Sequence, residues 1–133
     1  MTRAVPAAVA GLIALAALAA AGCGGSTVAM EARQGGLVAR LELEPAPPPA
    51  MQPVKMAVSL VRSDGSPVER ARVALRLRMP DMDHGAAAVT LEPRGRGRYE
   101  GTGTFEMAGA WEITLSASAE SDLVERFRVV VKP

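Results

Sequence analysis

Beyond residue 36, apolar side chains recur at every second position, and this alternation constrains the fold more than any other feature. Leu37, Ala39, Leu41 and Leu43 form one run. Val54, Met56, Val58 and Leu60 form the next, followed by Val73, Leu75, Leu77 and Met79. Val89 and Leu91 make a short fourth, and Tyr99 and Phe105 share a parity with Gly101 and Gly103 in a fifth. Trp111, Ile113, Leu115 and Ala117, then Phe127, Val129 and Val131, complete the series. A period of two puts one face of a strand in a core and the other in water. No stretch in this region carries a 3.6 period. The separators are turn chemistry: Ser63-Asp64-Gly65-Ser66-Pro67, Arg94-Gly95-Arg96-Gly97, and the proline run from Pro45 to Pro49, which cannot donate to a ladder. About seven short strands at this spacing predict an all-β, immunoglobulin-like antiparallel sandwich over residues 37–133. The four aromatic residues, Tyr99, Phe105, Trp111 and Phe127, all fall on inward parity and are expected in the core.

The chain before this domain reads as an address. Met1-Thr2-Arg3 is a short positive start, and an apolar run from Ala4 to Ala21 leads to Gly22-Cys23. Charged start, apolar middle and small residues at the cut are the layout of an export signal. With Cys directly after the small residues, residues 1–22 resemble a bacterial lipoprotein signal, and Cys23 is the expected lipidated N-terminus. An uncleaved apolar anchor and ordinary secretion are the alternatives. Each places the domain outside the cytoplasm, on the periplasmic side in a Gram-negative cell. Gly24 stands where Asp would resemble an inner-membrane retention signal, so an outer-membrane address is compatible. Residues 23–36, glycine-bounded and unpatterned, are expected to be a flexible tether of about 40 Å when extended. On this reading the tether joins the first strand at the end opposite the methionine-bearing loops, so those loops point away from the membrane.

Charge and composition exclude several functions. The chain carries 15 Lys and Arg against 14 Asp and Glu. Arg3 is the only charge before Cys23, so the rest is neutral, unlike a nucleic-acid binder with a clustered basic excess. One Cys and one His leave no internal disulfide, no cysteine zinc cluster and no histidine relay. A catalytic base oriented by a third group cannot be drawn from them, so an enzyme is not expected. Arg72, Arg76 and Arg78 form an outward stripe, expected to pair with Glu on adjacent strands; an anionic partner is the alternative.

The unusual segment is Met79-Pro80-Asp81-Met82-Asp83-His84-Gly85 between the third and fourth predicted strands. Thioethers are soft donors suited to Cu(I), and imidazole serves either copper state. If successive strands run antiparallel, the connections after the first, third and fifth lie at one end of the sandwich. They carry Met51, then Met79, Met82 and His84, then Met107. These five residues are the candidate metal ligands. Three have a plainer role beside them: Met79 and Met107 continue inward parity and serve equally as core filler, and His84 serves as a solvated loop residue. For Met82 core packing is the poorer explanation. Asp81 and Asp83 are expected to be solvated, with orientation of His84 as the alternative.

Gly65-Ser66-Pro67-Val68, Ala71-Arg72-Val73, the Met79–His84 segment, Gly97-Arg98-Tyr99 and Phe105 through Trp111 together resemble the YtkA-like domain family, itself similar to the FixH-like family. The resemblance covers roughly residues 37–131. It implies a small exported or membrane-tethered sandwich linked to copper handling or copper-oxidase assembly. Asp83 stands where the family often has Gly. Two functions follow as expectations. One is a copper-binding module, acting as chaperone, store or oxidase-assembly aid, that holds Cu(I) and passes it to an acceptor. The other is a metal-free module that docks an envelope or membrane protein.

Overall fold

A computed structural model describes residues 26–82 and 85–133; the signal segment, Cys23, Asp83 and His84 lie outside the described residues. The described residues form eight strands: β1 (Val28–Gln34), β2 (Leu37–Glu44), β3 (Pro53–Arg62), β4 (Arg72–Arg78), β5 (Ala87–Gly95), β6 (Arg98–Thr104), β7 (Gly109–Ser118) and β8 (Asp122–Val131). Their order is β1-β2-β3-β6-β5-β4-β7-β8, and all neighbouring pairs are antiparallel. The fifth strand belongs to both layers of the sandwich. Val89 and Leu91 face β4, whereas Glu92, Pro93 and Gly95 pair with β6 across a register shift.

The alternation fixes the core as the sequence predicts. Leu41, Leu43, Val54, Met56, Val58, Leu60, Leu75, Phe105, Ile113 and Leu115 are fully buried, and Tyr99 and Trp111 nearly so. The core contains no buried charged or polar residue among those described. Phe105 and Trp111 meet edge to face, with ring centroids 5.2 Å apart and planes at 70°, which ties the end of β6 to the start of β7. Phe127 is only half-buried, because β8 is an edge strand.

One expectation fails. Much of the segment read as a tether is strand β1, paired along its length with β2 from Val28 opposite Leu43 to Gln34 opposite Leu37. Gly35 and Gly36 supply the two positive φ angles, 58° and 76°, of a tight two-residue hairpin. Ala32 is buried and Met30 packs against the core, so the strand contributes to the fold. Residues 26–133 therefore contain every described strand and the whole described core.

The extra strand reverses the direction from which the chain arrives. Ser26 lies beside the β2–β3 loop, where its carbonyl accepts the Ala46 N–H at 2.7 Å. That loop straps the same end of the sandwich: Ala50 N–H donates to Lys132 O beyond β8, and Met51 N–H donates to Phe105 O after β6. The chain thus joins the fold at the end bearing Met51 and Met107, not the opposite end. The opposite, glycine-rich end is held by other bonds. Tyr99 Oη donates to Val68 O at 2.8 Å, Leu60 N–H donates to Gly97 O, and Ser121 Oγ donates to Gly35 O.

Candidate metal centre

The loops after β2, β4 and β6 gather at the strapped end, as strand parity predicts. Between the end of β4, the start of β5, the end of β6 and the start of β7 lies a cavity of about 230 Å³. Its walls include Met79, Gly85, Thr104, Glu106, Met107 and Trp111. Met79 arrives as the inward-facing residue beyond Leu77, and Pro80, which has no N–H for the ladder, follows the end of the strand. Its methyl group lies over Gly109, 3.1 Å from where a Cβ would stand, and Gly109 adopts a φ of 130° that other residues rarely reach. Glycine two residues before Trp111 is thereby explained: it leaves room for the Met79 thioether. Met107 sits on the β6–β7 loop, 44% exposed. The Trp111 indole N–H donates to the Met107 carbonyl at 2.9 Å and holds that loop against the cavity.

The five candidate ligands separate by position. Met79 and Met107 share the cavity. Met82 does not line it; it borders the adjacent groove with Arg76, Arg78, Pro80 and Asp81, and its N–H reaches Met79 O at 3.3 Å. Gly85 and Ala86 form the ridge between the two spaces. Met51 stands at the same end, 73% exposed with φ 62°, and lines neither. His84 and Asp83 lie outside the described residues; Gly85, the next described residue, is on the cavity wall.

The donor chemistry at this end is soft. Two thioethers border one partly apolar space, and no group of three or more His, Cys, Asp or Glu side chains able to hold a metal occurs among the described residues. Thioether sulfurs of this kind suit a thiophilic monovalent ion better than a hard divalent one. Glu106, on the wall, adds one carboxylate.

Charge elsewhere is unevenly arranged. On the outer face of β2, β3 and β6, Arg98 donates to Glu100 at 2.7 Å and also approaches Glu42, while Lys55 and Arg94 flank Glu100. The Arg98 hydrogen bond holds the Glu100 carboxyl below the ordinary range. The expected pairing of the Arg72, Arg76 and Arg78 stripe is not found: none of the three forms an ion pair among the described residues. Arg78 has Glu112 as its cross-strand neighbour on β7, but the two form no ion pair.

No curated protein and no solved structure matches the chain. A profile of the YtkA-like family matches residues 33–116, which span β2 to β7 and include the Met79 segment, Met107 and Trp111. On that match, over more than half its length, the chain belongs to the YtkA-like family.

Proposed function

We propose that this chain is a membrane-anchored, extracytoplasmic copper-binding module that carries Cu(I) and releases it to an acceptor by ligand exchange. The observation that carries the reading is the convergence of Met79 and Met107 on one cavity, with the loop of Met82 and His84 ending on its wall. In this reading the two thioethers are the resident donors, and the His84 imidazole is a third. Met82 and Met51, exposed nearby, receive the ion as it enters or leaves. Thioethers carry no proton to lose and do not oxidise to disulfides, so they hold Cu(I) in an oxidising compartment where free thiolates fail. Cys23 carries the lipid, and Ser26 lies only three residues beyond it. The methionine-bearing end is then held close to the bilayer, which favours an acceptor in or at the membrane. The chemistry is transfer of an ion without change of oxidation state, so no catalytic residue is assigned.

Trp111 is the single tryptophan and lines the cavity, so its fluorescence reports occupancy. Titration of residues 26–133 with Cu(I), and with Ag(I) as a redox-inert check, is expected to give one-to-one quenching. Exchanging Met79 and Met107 together for Leu keeps the volume and removes both sulfurs, a swap that costs less than about 1.5 kcal/mol each in a core. Affinity should fall at least tenfold in that variant, and again on replacing Met82 and His84 with Ala. Unchanged affinity in the double Leu variant would refute the assignment.

A further inference from the structure

The outer face of β4, β7 and β8 carries a cluster that the metal site does not use. Cross-strand register sets two rows side by side: Arg78, Glu112 and Arg128, then Arg76, Thr114 and Arg126. Four arginines thus surround one glutamate, in the half of the sheet nearest the strapped end. All four are exposed, and none forms an ion pair among the described residues. On the opposite sheet the basic residues Arg33, Arg40, Lys55, Arg94 and Arg98 are all paired with glutamates. The net neutrality of the domain therefore hides a one-sided field.

We propose that this face lies on an anionic phospholipid surface. Guanidinium groups match phosphate oxygens with two parallel hydrogen bonds, and arginines two strand spacings apart across β7 are relieved of mutual repulsion by a layer of phosphates. Two observations favour a bilayer over an acidic protein. Val124 and Val130, 53% and 69% exposed, stand on the same outer face of β8. Apolar side chains flanking the Arg126 and Arg128 pair suit the headgroup boundary, where the valines enter the acyl layer and the arginines reach the phosphates. The chain also leaves the described fold at Ser26, at the end where these rows lie, against the β2–β3 loop that also bonds Lys132 after β8. The apolar run 4–21 is therefore joined on the side where the arginines would meet lipid. This inference stands without the metal reading.

The test is sedimentation of residues 26–133 with phosphatidylcholine vesicles, with and without one-third phosphatidylglycerol. Binding is expected only to the anionic vesicles and should weaken steeply with added salt. Each removed charge should cost about fivefold in partition, so Arg76→Gln/Arg126→Gln should lose roughly 25-fold. Arg33→Gln/Arg40→Gln, on the opposite sheet, should bind as the parent does. These sites are exposed, so thermal melts of both variants should match the parent. Equal binding to neutral vesicles, no binding, or an unaffected Arg76→Gln/Arg126→Gln variant would overturn the proposal. So would capture by polyglutamate without capture by vesicles, which would assign the face to an acidic protein instead.

Discussion

Gly101 offers a sharp test of how the two layers meet. A Cβ at this position would stand 2.8 Å from Leu91 Cδ2, and 3.3 Å from both Thr90 O and Val89 Cγ1. Ordinary contact begins near 3.4 Å, so Gly101→Ala forces Leu91 and the crossing strand β5 away from β6. Overpacking of this kind costs about 1–3 kcal/mol. The lost backbone freedom of the unfolded chain returns about 0.4–1 kcal/mol. The net expectation is a loss of about 1–2 kcal/mol, or roughly 5–10 °C in melting temperature for a domain of this size. Leu91→Val removes the methyl group in question; alone it should cost about 1 kcal/mol, as small core deletions do. In the Gly101→Ala background the same change relieves the collision and should cost almost nothing. Urea denaturation of the four proteins closes a double-mutant cycle, and a coupling near 1 kcal/mol is expected. Additive losses, or a Gly101→Ala protein as stable as the parent, would refute the claim that close approach of β5 dictates glycine here.

Two further changes probe the ends of the sandwich. Trp111→Phe should destabilise the domain by about 1–2 kcal/mol, since the Met107 carbonyl loses its indole donor, and should speed amide exchange at residues 107–109; unchanged exchange there would mean that the bond does not hold the loop. Tyr99→Phe removes the hydrogen bond to Val68 O at 2.8 Å and should also cost about 1–2 kcal/mol in denaturant titrations at neutral pH. Burial raises the Tyr99 phenol above its ordinary 10.0, so the folded state keeps its proton longer than the unfolded one. That contribution is complete below pH 10.0 and is lost as pH rises through the folded value; Tyr99→Phe should flatten the alkaline slope of stability.

Much of this architecture was legible because a period of two leaves one burial solution. The inward residues of β2, β3, β4, β6 and β7 follow from it directly, as does the gathering of three methionine-bearing loops at one end. β1 was not legible, because Val28 to Gln34 presents only Met30 and Ala32 to the core and carries no apolar run. Missing it inverted the side from which the chain arrives. Leu123 went unread because Glu125 interrupts its parity with Phe127, and Val68 because it lies in a connection. The separation of Met82 from Met79 depends on how the chain turns at Pro80, which spacing does not encode. The unpaired arginines depend on strand order, since only the neighbours of β4 decide whether a glutamate comes within reach.

The divided allegiance of β5 gives the sandwich an uneven compliance. Its first half is bonded to β4 and its second to β6, so beside β5 at the strapped end the two layers part like the open side of a seam, while the β2–β3 loop ties the far side through Lys132. Ala87 at the start of β5 and Thr104 at the end of β6 face one another across the cavity with no ladder rung between them among the described residues. A widening there breaks no inter-strand hydrogen bond, whereas the glycine-rich end is stitched by Tyr99, Gly97 and Ser121. Thermal breathing should therefore concentrate around Met79 and Met107, letting their side chains follow a change of occupant while the rest of the core stays still.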